Sequence, residues 1–169
     1  MASESLGEVM SEVNERTNLR VLRPSRKRLS EGDVFVFQPG DDRYFFGRII
    51  KLDVSVGGFP NGILVYLYNA SSSNKHSIPK LDRSDLLLPP LATNHLPWSR
   101  GYFEVVTTEP LKDANVLPAH CFRSSTGRCY DEMGNQVAVP VEPVGEFALQ
   151  SYRSIDDLVS DAIGIPKVP

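Results

Sequence analysis

The sequence predicts an α+β fold: a mainly antiparallel, strongly curled β-sheet with an N-terminal amphipathic helix and a C-terminal helix packed on it. Three observations carry this. Residues 34–68 hold three runs rich in β-branched and aromatic residues, separated by turns rich in Gly, Pro, Asn and Asp. Leu6, Val9, Met10 and Val13 recur at helical spacing near the start, and Ile155, Leu158, Val159, Ala162 and Ile163 do so near the end. With 169 residues, 41% hydrophobic and 23% charged, the chain has an ordinary globular composition. A chain of that length buries about two-thirds of its unfolded surface, so one core suffices without a metal or disulfide.

Ser5 and Glu8 have the spacing of a capping box and would start the first helix. Arg16, Arg20, Arg23, Arg26, Lys27 and Arg28 follow with no acid among them; Pro24 and weak apolar periodicity make this stretch a linker or arm. Residues 1–30 are thus read as helix plus basic arm, and 31–169 as a single globular domain. Gly32-Asp33 is a turn signal before strand 34–37, whose two faces are both apolar and call for cover on both sides. Residues 38–42 provide a hairpin loop and 44–52 the returning strand, in which Gly47 marks a bend or bulge. A turn over 57–62 leads to strand 63–68, completing a three-stranded antiparallel meander.

Residues 69–83 are polar and serine-rich, as suits a surface loop, and 85–88 read as a short strand before Pro89-Pro90. Strand 102–108 ends before Pro110. Residues 128–131 and 136–139 flank a turn over 132–135 as a hairpin, and 145–149 add one more strand. For the last helix, Ser154 is the predicted cap, Asp156 and Asp157 suit the positive end, and Gly164 and Pro166 stop it.

Chemical motifs are sparse. His76, His95 and His120 lack metal-ligand spacing, and adjacency of His120 to Cys121 on a strand points the two side chains to opposite faces. Cys121 and Cys129 read as small buried hydrophobes with free thiols. There is no phosphate loop and no dinucleotide fingerprint. No catalytic, cofactor-binding or metal-binding residue is assigned, which favours a binding protein over an enzyme. The opening residues lack the plan of a secretory signal and no apolar stretch is long enough to span a bilayer, so a cytoplasmic location is expected. The net charge of −3 is unevenly placed: from 101 onward ten acids face five bases, a surface suited to a basic partner.

The ordered series Gly32-Asp33-Val-Phe-Val-Phe, Tyr44-Phe-Phe-Gly47-Arg48-Ile-Ile, Leu87-Leu-Pro-Pro90, Trp98-Ser-Arg-Gly101-Tyr102-Phe103, Tyr130-Asp131-Glu-Met-Gly134 and Ser151-Tyr-Arg-Ser-Ile155-Asp156 resembles the Immunity protein 26 family. The similarity covers roughly residues 30 to 163. It implies a bacterial immunity protein, encoded beside a polymorphic or contact-dependent toxin, that binds the toxin domain in the cytoplasm and carries no catalytic residues. Many such toxins are nucleases with basic grooves. The expected partner-binding residues are therefore Asp131, Glu132, Glu142 and Glu146, with Trp98 and Tyr102 as aromatic anchors, in a one-to-one complex. The alternative is a nucleic-acid-binding module that uses the basic arm at 16–28.

Overall fold

The computed structural model describes residues 16–40 and 42–169. The predicted first helix, from Ser5 to Val13, lies outside the described residues. The meander is present: β1 (Asp33–Phe37), β2 (Tyr44–Val54) and β3 (Gly62–Ser72) pair antiparallel, with Val34 opposite Arg48 and Arg48 opposite Tyr66. Gly47 sits at a register shift in the β2–β3 pairing, and a Cβ there would lie 2.4 Å from the Phe35 ring. β4 (Leu91–Thr93) joins β3, and β5 (Glu104–Thr108) joins the far side of β1. β10 (Leu149–Gln150) runs parallel to β4, giving the order β10-β4-β3-β2-β1-β5. β6 (Cys121–Arg123), β7 (Cys129–Tyr130), β8 (Gln136–Val137) and β9 (Val144–Glu146) form a second sheet in the order β8-β7-β6-β9.

The expectation of one strongly curled sheet is therefore corrected: there are two sheets, and neither is strongly curled. The reason lies in β3, where Ile63, Val65 and Leu67 enter one core cluster and Leu64, Tyr66 and Tyr68 another. A curled sheet covers only its concave face, whereas β3 needs a layer on each side. On the first side lie α1 (Leu96–Ser99) with Trp98, followed by Phe103, and α2 (Tyr152–Ile163) with Ile155 and Val159. On the second side Phe122 of β6 packs with Ile50, Val54 and Leu64, flanked by Leu111, Val116 and Leu117. The guanidinium of Arg83 donates to the carbonyls of Asp113 and Val116 and so fastens that flank.

Three local expectations shift. Residues 85–88 are not a strand: Leu86 makes one isolated bridge to Tyr68, and strand pairing begins only at Leu91. Pro89 and Pro90 have no N–H for a ladder, so the strand forms after them. The stretch 145–149 divides between sheets, β9 pairing with β6 and β10 with β4. Finally, α2 is capped by Ser151 and not by Ser154; the two side chains bond reciprocally, Ser154 N–H donating to Ser151 Oγ at 3.1 Å. Gly164, with φ of 76°, closes its far end as predicted.

The arm is laid against the body. Its N–H groups at Arg20, Leu22 and Ser25 donate to the carbonyls of Gln38, Gly101 and Trp98. Leu19 and Leu29 are buried in the core, while all six cations face outward. Asp156, buried in the second turn of α2, accepts the N–H groups of Leu19 at 2.7 Å and Asn18 at 3.1 Å. Replacing Gly47 by Ala pushes a methyl into the Phe35 ring and should lower the unfolding free energy by about 1–3 kcal/mol, measured by urea denaturation.

Candidate functional site

A chain of buried polar groups links the two sheets. Tyr66 points from β3 into the second core, and its hydroxyl lies 2.6 Å from Nε2 of His120, just before β6. Nδ1 of His120 lies 2.6 Å from Oε2 of Glu132, in the turn between β7 and β8. The N–H of Leu117 donates to the Tyr66 oxygen at 3.0 Å. That bond uses one lone pair of the phenol, so the pattern that satisfies every group has Tyr66 donating to Nε2 and Nδ1–H donating to Glu132. Lys51 Nζ is 3.9 Å from the other oxygen of Glu132.

The electrostatics follow from burial and these bonds. Burial pushes the Tyr66 phenol up to about 12, against the lowering effect of the Leu117 N–H, so it remains a donor at neutral pH. The hydrogen bond from His120 holds the Glu132 carboxyl below its ordinary value, with burial opposing. A cavity of about 240 Å³ borders His120, Glu132 and Lys51. Both imidazole nitrogens are already engaged, however, and Tyr66 is fully buried. Proton transfer to a substrate would first have to break one of these bonds. The chain is suited to fastening the small sheet to the large one.

The residues expected to bind a partner fall into three settings. Trp98 and Tyr102 are buried, 3% and 2% exposed; Trp98 packs edge-on against Phe35 and Phe103, and Tyr102 stacks on Tyr152. Asp131 and Glu132 share the β7–β8 turn, where Asp131 accepts the N–H groups of Met133 and Asn135 and Glu132 holds His120. Glu142 and Glu146 are exposed around β9, with β6 between them and β7. Glu146 accepts from Gln150 at 3.1 Å and Glu142 from the Val144 N–H at 3.3 Å. Glu132 thus lies within the polar chain, and Glu142 and Glu146 carry the most accessible of these carboxylates. Cys121 and Cys129 are buried free thiols, as read from the sequence. Among the described residues no three His, Cys, Asp or Glu side chains are grouped as metal ligands, and no helix is long and apolar enough to cross a membrane.

Sequence reasoning missed the Tyr66–His120–Glu132 chain because its members are 54 and 12 residues apart. One signal was available: a tyrosine within the apolar run 63–67 needs a partner for its hydroxyl. Tyr66→Phe removes the acceptor of the Leu117 N–H and the donor to His120, and should cost about 1–3 kcal/mol of stability in urea denaturation at neutral pH. Glu132 has a lowered pKa in the fold, so its contribution is complete above the ordinary 4.5 and is lost as pH falls through the lower folded value. The urea midpoint of the wild type should therefore fall more steeply on acidification in that range than the midpoint of Glu132→Gln.

Comparison with known proteins adds the family. The family model described as Immunity protein 26 matches residues 30–130, more than half of the chain. The matched segment contains β1 to β7 together with Tyr66 and His120, and ends two residues before Glu132. No curated protein and no solved structure matches the chain. The resemblance carried by the Gly32-Asp33, Gly47-Arg48, Trp98–Phe103 and Tyr130 segments is thereby supported over the matched residues, and the chain belongs to the Immunity protein 26 family.

Proposed function

We propose that this protein protects a bacterium by binding a cognate toxin domain in the cytoplasm, one to one, and blocking it sterically and electrostatically without catalysis. Membership of an immunity-protein family is the observation that carries this reading. Two features of the molecule support it. The His120 constellation, which resembles acid–base machinery, has its ring nitrogens committed to Tyr66 and Glu132, and the small sheet carries accessible carboxylates beside exposed apolar side chains.

The contact surface we favour is the exposed side of β9 and of the loop before it. Glu142 and Glu146 are exposed there, and Val139 and Val141, 72% and 48% exposed, lie in the loop that leads to them. A basic toxin groove, as in a nuclease of a polymorphic or contact-dependent system, would be steered by such acids and sealed by such apolar groups. Trp98 and Tyr102 support the core on the other face of the large sheet, and Asp131 and Glu132 hold the turn, so their replacement would test folding before binding.

Co-expression with the toxin encoded by the neighbouring gene is the test. Growth should be restored by the wild type; killing that is equal with and without this protein would refute neutralisation. Glu142→Lys with Glu146→Lys should weaken binding to the purified toxin domain about tenfold, chiefly through a slower, salt-sensitive on-rate in biolayer interferometry. Unchanged binding would remove the electrostatic mechanism while leaving steric blocking in place.

A further inference from the structure

A groove lies on the opposite edge of the large sheet from β10. It has a volume of about 670 Å³ and runs between the basic arm and β5. Arg23, Lys27 and Arg28 border it from the arm, and Glu104, Val105 and Thr108 from the strand. We propose that this groove binds an extended acidic peptide segment, which adds to the sheet as a further strand beside β5.

Three observations point to that ligand. First, among the described residues β5 ends the strand order and pairs with β1 alone, through a register shift at Val106, so the N–H and C=O groups on its other edge have no strand partner there. Such an edge is a template for an added strand. Second, the far wall is already in place. Leu22 and Ser25 of the arm are hydrogen-bonded to Gly101 and Trp98, and Leu29 is buried, so a ligand would not have to order this wall.

Third, the charge of the lining is positive: with Glu104 paired to Lys75, the cations Arg23, Lys27 and Arg28 outnumber Asp33, whose partners are neutral. Glu104 is held by Lys75 at 3.1 Å, and Asp33 accepts from the Ser30 N–H at 2.8 Å and the Thr108 hydroxyl at 2.6 Å. Arg23, Lys27 and Arg28 are exposed, and their side chains make no hydrogen bond or ion pair among the described residues. Side chains alternate along a strand, so every second residue of an added segment would face the arm, about 6.8 Å apart. Acids at those positions would meet the three cations.

A nucleic acid fits this groove less well. The aromatic ring in its lining, Trp98, is 3% exposed and wedged between Phe35 and Phe103, so it offers no face for a base to stack on.

The experiment uses the full chain and a fluorescein-labelled peptide of alternating Glu and Thr, roughly ten residues long, followed by fluorescence anisotropy. The peptide should bind and weaken as salt is raised. The triple variant Arg23→Ala, Lys27→Ala, Arg28→Ala, whose changes are all at exposed positions, should bind about tenfold more weakly. The same peptide N-methylated at every residue keeps the charge, loses the backbone donors, and should not bind. Absence of binding by the acidic peptide, unchanged binding by the triple variant, or equal binding of the N-methylated peptide would overturn the proposal. Tighter binding of a uridine oligonucleotide of equal charge would overturn it in favour of a nucleic-acid groove.

Discussion

Burial of β3 on both faces is the constraint from which the architecture follows. Every residue from Gly62 to Tyr68 is buried, so the strand places large side chains alternately into two cores. Each such side chain is worth about 1.5–3 kcal/mol when removed from water, and leaving either face bare would forfeit several of them. The layers on each side are consequences: helices α1 and α2 on one, the small sheet and the loop before it on the other. The same requirement explains how three- and two-residue strands such as β6 and β7 persist, since Phe122 ties β6 to the face of the large sheet.

Within that second core the hydroxyl of Tyr66 dictates the path of the chain around it. Leu117, His120 and Glu132 come from a loop, a strand start and a turn, and all three converge on this tyrosine directly or through the imidazole. A buried network in which each donor has an acceptor is specific, because a shifted register would leave several groups unpaired at once. The small sheet is therefore held by direction as well as by apolar area. Its strand β9 and the loop before it, which carry Glu146 and Glu142, stand on a fixed base.

The parts of the fold legible in the sequence were those set by local patterns. The meander was legible because strand runs and Gly/Pro turns alternate over 34–68, and Gly47 was legible as an irregular position. The hairpin around residues 132–135 and the terminal helix were legible for similar reasons. The division of strands between two sheets was not, because nothing local distinguishes Val144–Glu146, which pairs with β6, from Leu149–Gln150, which pairs with β4. Burial of aromatic residues was equally hidden. Trp98 and Tyr102 have the composition of interface anchors, and only their long-range neighbours Phe35 and Tyr152 give them a place in the interior. Among the acids, Glu132 is held by His120, which no local pattern announces, and Asp131 by N–H groups of its own turn, while Glu142 and Glu146 are the more exposed.

The bond from Leu19 to Asp156 spans 137 residues of chain. A ribosome makes the arm well before the anchoring carboxylate. Local hairpin contacts let the meander form while synthesis continues, whereas the arm's clasp has to wait for α2 to emerge and dock. Throughout that interval the six cations sit on a tether not yet fastened at its start, so the basic arm becomes part of the surface only once α2 has docked.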